Sequence, residues 1–432
     1  MSASDVSGFS ERQPRVQIAS KPGASKPSPT IRDVLSPLGF RAIQGRNMKD
    51  IELPETLVRS LAAGHPWVYR DHVGRFQAPS GTWVRVRAGS YVAYGLWDAE
   101  SQIAVRLFST QGPVDQAWVT ARVKEAWELR QHIRDKGCTG YRLIFGEADQ
   151  LPGIVVDLYG AHGILVTYSK ALGPIVPLVS EAVVHVAGLE TLCRRYKEDS
   201  GTVLRPIHGG MPPEKILVYE LGMRLWANVH HGQKTGLFFD HRDNRRFVRN
   251  VAIGRSVLNL FCYTGGFSVA AGLGGASSIT SVDSAAPAVA AARDNFSENG
   301  LDAVPHEALV EDVFSYLPRV TGQGQRFDLV ICDPPSFAKS KDQLRAAEKA
   351  YKNLMALALS VTAPGGYCCL ASCTSQVGPE AFKRLIGEAA RKARVRFQVV
   401  RDVGQPSDHP VQIGHEEGRY LKFVAGRVLE RC

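Results

Sequence analysis

Residues 255–271 read RSVLNLFCYTGGFSVAA. An apolar run meets a turn closed by a glycine pair, and small apolar residues follow. That order predicts a strand, a tight turn and a helix. The alternation continues downstream. SSITSVD (277–283) predicts a strand, and AAPAVAAARDNFSENG (285–300) a helix stopped by Asn299-Gly300. A third strand falls near HEALVED (306–312) and a fourth at FDLVICD (327–333). KDQLRAAEKAYKNLMALALSV (341–361) predicts a long helix ended by Pro364-Gly365-Gly366. GYCCLAS (366–372) then reads as a strand and GPEAFKRLIGEAARKAR (378–394) as a helix. The last two runs, RFQVVRDV (396–403) and RYLKFVAGRV (419–428), lie too close for a crossover helix and predict an antiparallel pair. Repeated β–α units predict an α/β fold: a parallel sheet with helices on both faces.

Upstream the pattern differs. Residues 1–48 are Ser/Pro/Lys-rich, as in SKPGASKPSPT (20–30), and predict a disordered tail. Residues 49–116 hold short β-like runs, GTWVRVRAG (81–89), SYVAYGLWD (90–98) and IAVRLFS (103–109), which predict a small β-domain. Residues 117–230 predict an α+β unit. A helix over 116–136 opens it, strands follow within YRLIFGEADQLPGIVVDLYGAHGILVTYS (141–169), and a helix lies near 173–188. KILVYELGMRLWANV (215–229) predicts a hairpin closing on Leu221-Gly222-Met223. Residues 231–432 hold the α/β unit.

The chain has 432 residues, 44% hydrophobic and 22% charged, which is globular usage for several domains. No apolar run reaches the length of a membrane span and no hydrophobic signal core opens the chain, so a soluble cytoplasmic protein without a membrane partner is expected. The formal charge of +10 favours a polyanion, with nucleic acid first. Eight cysteines stand without CxxC pairs, against a disulfide scaffold and against a metal site. In the β-domain, GHPWVYRDHV (64–73) sets Trp67 and Tyr69 beside His65 and Arg70, a cluster suited to stacking on bases and holding phosphate, or to core packing by Trp67.

Ligands of open α/β sheets sit outside the carboxyl ends of the strands. Here those ends deliver NLFCYTGG, Asp283, Asp312, Asp333-Pro334-Pro335 and Ser372-Cys373-Thr374. The glycine pair allows close backbone approach, and an acid ending the second strand can accept both hydroxyls of a ribose. Asp283 and Asp312 could equally cap the helices that follow them. The loop is not GxGxxG, since Phe261 and Tyr263 stand where a dinucleotide turn wants glycine. Hydride chemistry is disfavoured accordingly.

VLNLFCYTGGFSVAA, SVDSAAPAVAAARDNFSENG, FDLVICDPPSFAKSK and CLASCTSQ resemble, in order, the motifs of class I S-adenosylmethionine-dependent methyltransferases. More narrowly, the chain resembles the large-subunit ribosomal RNA cytosine-5 methyltransferases that carry an N-terminal PUA domain. GHPWVYRDHV, GEADQLPGIVVDLYG (146–160), HHGQKTGLFFDHRDNRR (230–246) and SDHPVQIGHEEGRYLK (407–422) match as well, so the resemblance spans about 52–426. It implies a Rossmann-like catalytic domain at the C-terminus, behind a PUA-like RNA-binding domain and an α+β middle domain. It also implies S-adenosyl-L-methionine as cofactor. Phe261, Tyr263, Thr264 and Gly265 would line it, Asp283 and Ser284 would meet the ribose, and Asp312 the adenine amino group. Gln233, Thr235, Gly236 and Phe239 would close over it, and Asp333 would bridge cofactor and base. His65, Trp67, Arg70, Pro334 and Phe337 are the candidate contacts to ribosomal RNA. Homodimerisation is left open. CRRYKEDSGTVLRP (193–206) matches the family's Arg-rich stretch only loosely.

Cytosine carbon 5 is a poor nucleophile until a thiolate adds to carbon 6, so such an enzyme needs a cysteine. Cys368 and Cys369 fall mid-strand and read as packing, as do Cys262 and Cys332. Cys373 falls at a strand end, where packing and nucleophile are both open. The resemblance implies the nucleophile, with Cys373 and Asp333 as the catalytic pair. A guanine or adenine N-methyltransferase without covalent catalysis is the first alternative, and a non-catalytic RNA-binding protein the second.

Overall fold

The computed structural model describes residues 48–198, 201–338 and 341–431. Apart from Met48, the expected tail lies outside the described residues. Five short strands come first: β1 (Lys49–Glu52), β2 (Trp67–Tyr69), β3 (Trp83–Ala88), β4 (Tyr91–Trp97) and β5 (Ile103–Ser109). They form one sheet in the order β1-β3-β4-β5-β2. Along β3, Val84, Val86 and Ala88 turn inward while Trp83, Arg85 and Arg87 stay half-exposed, the period of two that the sequence shows. The two flanking strands, β1 of four residues and β2 of three, are too short to show a period in the sequence.

Next come helix α1 (Gln116–Leu129), strands β6 (Gly140–Phe145), β7 (Ile154–Tyr159) and β8 (His162–Thr167), helix α2 (Val176–Ala187), and strands β9 (Thr191–Glu198) and β10 (Gly201–His208). The strands form a second sheet in the order β10-β9-β8-β7-β6. Leu143, Val156 and Leu165 of this sheet pack with Val119 and Val123 of α1 and Val179 and Val183 of α2. Residues 193–198 and 201–206 of the Arg-rich stretch thereby lie in the ladder. The hairpin β11 (Lys215–Glu220) and β12 (Met223–Asn228) turns at Leu221 and Gly222, at φ 49° and 81°. Paired positive φ values suit the right-handed twist of the flanking strands.

The last sheet has seven strands: β13 (Ser256–Leu260), β14 (Ser278–Asp283), β15 (His306–Val310), β16 (Phe327–Cys332), β17 (Thr362–Ser372), β18 (Val395–Val403) and β19 (Lys422–Arg431). Their order is β15-β14-β13-β16-β17-β19-β18. The first five run parallel, and β19 pairs antiparallel with both β17 and β18. Alternate residues feed opposite faces. Leu258, Val330 and Cys368 pack with helices over Val313–Gly322, Leu344–Val361 and Pro379–Ala393. Val257, Leu329 and Cys369 pack with helices over Arg242–Val251 and Gly266–Leu273, and against Phe296 of the helix over Ala286–Glu298. Burial on both faces explains why these strands read as unbroken apolar runs. One boundary differs from expectation. The long helix ends at Val361 as expected, but β17 begins at Thr362 instead of Gly366 and bulges through Gly365, whose φ of 78° suits glycine. Among the described residues no helix is long and apolar enough to cross a membrane.

Buried ion pairs brace the middle sheet, and Asp408 ties it to the later part of the chain. Arg142 pairs with Asp157 at 2.8 Å, Arg130 with Asp149 at 2.6 Å, and Arg242 with Asp408 at 2.8 Å. Asp408 also accepts from the Arg142 backbone N–H at 3.0 Å. Burial pushes the Asp408 carboxyl up, but the Arg242 and His409 charges outweigh it and hold it far below the usual carboxylate range. A carboxyl depressed in the fold contributes stability above its unfolded value of about 4 and loses it as pH falls further. Asp408→Asn is therefore expected to cost about 3 kcal/mol near neutrality, because buried Arg242 loses its nearer anion and keeps Glu220 at 3.6 Å. It should also flatten the acid limb of the stability curve below pH of about 4. Urea unfolding at a series of pH values checks both; an unchanged acid limb would assign the loss to other groups.

Candidate active site at the strand ends

Beyond β13 the chain makes a strained turn. Phe261 and Tyr263 adopt φ of 56° and 47° with side chains present, and Gly265 adopts 76°. Each left-handed non-glycine residue costs about 1 kcal/mol or more, and such strain collects at functional sites. The expected requirement for glycine at these two positions is thus met by strain. At Gly265 glycine is obligatory for a second reason, because a Cβ would come within 2.8 Å of the Ala292 Cβ. The turn is held by Asp283, whose Oδ2 accepts from the Tyr263 N–H at 2.9 Å and whose Oδ1 accepts from the Ala285 N–H at 3.0 Å. Each oxygen keeps further lone-pair capacity. Asp312 does cap its helix, accepting from the Phe314 N–H at 3.2 Å.

A cavity of about 410 Å³ opens at this rim. Of the residues singled out in the sequence, Gln233, Phe261, Tyr263, Thr264, Asp283, Ser284, Asp312, Asp333, Pro334 and Cys373 line it. Others lie behind the wall. Thr235 is buried, donating to Asp157 at 2.6 Å and accepting from the Tyr159 hydroxyl at 2.9 Å. Phe239 packs on the Tyr159 ring, and Phe337 lies between the rings of Phe314 and Tyr351. Gly236 contributes its carbonyl, which accepts from the Tyr263 hydroxyl at 3.3 Å, while that hydroxyl accepts from the Gln233 N–H at 3.0 Å. Tyr263 so pins the 233–236 segment to the glycine turn.

The aromatic–basic cluster of the first sheet lies elsewhere. Trp67 donates its indole N–H to Glu147 at 2.8 Å, and its ring sits 4.4 Å from that of His415. His65 faces Glu417 at 3.5 Å. Arg70 is committed to the Asp98 and Ser101 carbonyls and lies over the Trp97 ring. Instead of reaching into the cavity, Trp67 and His65 seam the first sheet to later parts of the chain, and Arg70 braces the sheet internally.

Several cavity residues were not singled out from the sequence. His241 Nε2 lies 3.2 Å from Asp333 Oδ2. Asp240 is 2% exposed, and its Oδ2 accepts from Lys234 at 3.0 Å and from the Tyr420 hydroxyl at 2.6 Å, while Oδ1 has no partner. Burial pushes the Asp240 carboxyl up, but Lys234 and His241 hold it well below the ordinary range. The adjacent acid and histidine in GLFFDHR were a legible signal.

Cys373 follows the last residue of β17 and is half-buried. The other described cysteines are buried. Cys262 lies beyond β13 rather than inside a strand, buried all the same. Burial pushes Cys262 and Cys368 up to about 12 and raises Cys332 and Cys369 well above the usual thiol range. The Cys373 thiol is also raised, by burial and then by Asp333, with Lys234 and Lys422 opposing. It is protonated at rest near neutrality.

Residues 181–415 match the family model for S-adenosylmethionine-dependent methyltransferases, and residues 51–110 that for PUA-like domains. The chain belongs to the S-adenosylmethionine-dependent methyltransferase family. A relative from Shewanella denitrificans named ribosomal RNA large subunit methyltransferase I is 36% identical over 397 residues, covering 88% of this chain and 99% of its own. One of the same name from Klebsiella pneumoniae is 34% identical, over 86% and 96%. Among solved structures, a methyltransferase complexed with SAH superposes with a TM-score of 0.80 at 24% identity, covering 88% of this chain and all of that one. That likeness fixes the shared fold. The cavity of this methyltransferase fits the family's cofactor, a cationic sulfonium with a ribose and an adenine. Phe261, Phe267 and Phe314 supply apolar wall, Asp283 and Asp312 supply acceptors, and one Asp240 oxygen stands unpartnered. Among the described residues no group of three or more His, Cys, Asp or Glu could hold a metal ion.

Proposed function

We propose that this methyltransferase modifies carbon 5 of a cytosine in large-subunit ribosomal RNA, with Cys373 as the nucleophile. The observation that carries it is Cys373 itself, the one described cysteine that is not buried, opening on the cavity beside Asp333. The names of the relatives and the charge of +10 support RNA as substrate. The division of labour follows residues 49–116 as the PUA-like domain, 117–230 as the middle domain and 231–432 as the catalytic domain.

In this reading Asp283 accepts from the ribose hydroxyls and Asp312 from the adenine amino group. Phe261 and Phe314 flank the adenine, and Gln233 with Gly236 covers the cofactor. The cofactor supplies an electrophilic methyl group on a sulfonium. The target base leaves its stack to reach the rim. Cys373 loses its proton to solvent and its sulfur adds to carbon 6. The charge released into the ring collects at nitrogen 3, to which Asp333, ionised at rest, relays a proton from solvent. His241 holds Asp333 in place. Once carbon 5 carries the methyl group its proton passes to solvent, the carbon–sulfur bond breaks, the electron pair returns to Cys373, and nitrogen 3 gives its proton back through Asp333. Nitrogen methylation needs no such thiol.

Nucleoside mass spectrometry of rRNA from a deletion strain tests the reading. Loss of one 5-methylcytidine is expected, restored by the gene in trans. Loss of a methylated guanosine or adenosine instead would overturn the choice of base, and unchanged rRNA would overturn the substrate.

A further inference from the structure

Lys422 opens β19 directly across the ladder from Ser372, the residue before Cys373. It is 4% exposed. Its Nζ donates to the Thr374 carbonyl at 2.6 Å and to the Tyr420 carbonyl at 2.8 Å. Two of its three N–H groups are thereby placed. No carboxylate among the described residues pairs with it. The acids nearest the sulfur are engaged elsewhere, Asp240 with Lys234 and Tyr420, and Asp333 with His241. A buried cation without an anion is costly to keep. The carbonyl bond to residue 374 holds this cation one residue past the sulfur.

We propose that Lys422 is the counter-ion of the Cys373 thiolate, a positioning residue that acts through the sulfur. The inference rests on the cytosine-5 reading for its catalytic meaning, while the ionisation it describes does not need RNA. Every element packed around Cys373 brings charge or a titratable group. Asp333 comes from the end of β16, Lys234 and Asp240 from the segment before the Arg242 helix, Tyr351 from the Leu344–Val361 helix and Lys422 from β19. The two carboxylates push the thiol up and the two lysines pull it down. The Lys234 side chain is 40% exposed and already paired with Asp240, so most of its field is cancelled. Lys422 is neither exposed nor paired. Burial pulls its ammonium down to about 8, and the charge that opposes this is the Cys373 thiolate. On ionisation the S–H bond breaks, the proton goes to solvent, the electron pair stays on sulfur, and the thiolate charge is what then holds the proton on Lys422.

The test is the rate of iodoacetamide alkylation at Cys373 against pH, read by peptide mass spectrometry on the full chain without RNA. Lys422→Gln keeps hydrogen-bond donors for the two carbonyls and removes the charge. Its Cys373 inflection is expected about one unit higher, so alkylation at pH 8 falls roughly tenfold. Lys422→Arg is expected to restore the wild-type inflection. Equal inflections for wild type and Lys422→Gln overturn the proposal, as does failure of the arginine variant to restore it. Should Lys422→Gln not fold, the reciprocal experiment decides. The Lys422 side chain, followed by carbon-13 NMR, is expected to titrate lower in Cys373→Ser than in wild type; an unmoved midpoint overturns the pair. Neither readout involves base chemistry, so a wrong target base leaves both results standing.

Discussion

Cys373→Ser is expected to lower methyl transfer to RNA by at least about 10³-fold while leaving cofactor affinity unchanged. The serine hydroxyl matches the thiol in size, and Cys373 is already half-buried at a strand end, so packing changes little. What changes is chemistry. The hydroxyl ionises far less readily, and the flanking Asp333 charge that already raises the thiol would oppose an alkoxide as well. RNA carrying 5-fluorocytosine gives the sharper measurement. Fluorine on carbon 5 cannot leave as a cation, so the final elimination is blocked and the enzyme stays bonded to carbon 6. Wild-type protein should form a denaturant-resistant adduct whose crosslinked peptide contains Cys373, and Cys373→Ser should form none. Cys369→Ala is the contrast. That thiol is buried against Leu329, Ile331 and Phe423, so its loss should lower stability and leave turnover per folded molecule intact. Turnover retained by Cys373→Ser would exclude covalent catalysis here and leave nitrogen methylation standing.

The strand–turn–helix at 255–271 was legible because a parallel strand buried on both faces has to read as an unbroken apolar run. Once the strands were placed, their carboxyl ends gave up Asp283, Asp312, Asp333 and Cys373, since the fold puts ligand residues there. Facing was less legible than motif. Thr235 and Phe239 share the GQKTGLFFDHR segment with Gln233, yet their side chains point to Asp157 and Tyr159, behind the cavity wall. A loop has no period from which to read direction. Lys422 escaped for another reason. Its place beside Cys373 depends on the antiparallel register of β19 on β17, a pairing across some fifty residues that no local pattern encodes. The same holds for Asp240 with Tyr420, and for Trp67 with Glu147. Long-range polar partners are set by topology, and short windows of sequence do not contain them. The left-handed turn at Phe261 and Tyr263 was visible only as missing glycines; that the chain tolerates the strain is a property of the Asp283 bonds around it.

Asp333→Ala is expected to lower methyl transfer by about 10²–10⁴-fold, the range for removing a positioned proton donor. The same substitution should make Cys373 more reactive toward alkylation. The two effects run in opposite directions because Asp333 has two relations in the site. Its charge pushes the neighbouring thiol up, so its removal lets the thiol ionise at lower pH. The proton it relays from solvent is what the ring nitrogen needs as the sulfur adds, and alanine can relay none. Asp333→Asn separates the relations further. The amide removes the charge, so alkylation should quicken as it does for alanine, while its N–H can donate to nitrogen 3 without transferring a proton. Turnover for the asparagine variant should therefore fall between wild type and alanine. His241 lies 3.2 Å from Asp333 and holds the carboxyl by its imidazole, so the asparagine side chain keeps a partner there. The measurements are single-turnover methylation with saturating RNA, and iodoacetamide alkylation of Cys373 on the same preparations. A variant with faster alkylation and faster methyl transfer would show that thiol ionisation limits the reaction and that Asp333 gives the base no proton. Faster alkylation with slower methyl transfer places the need for Asp333 after the thiolate forms, at the ring.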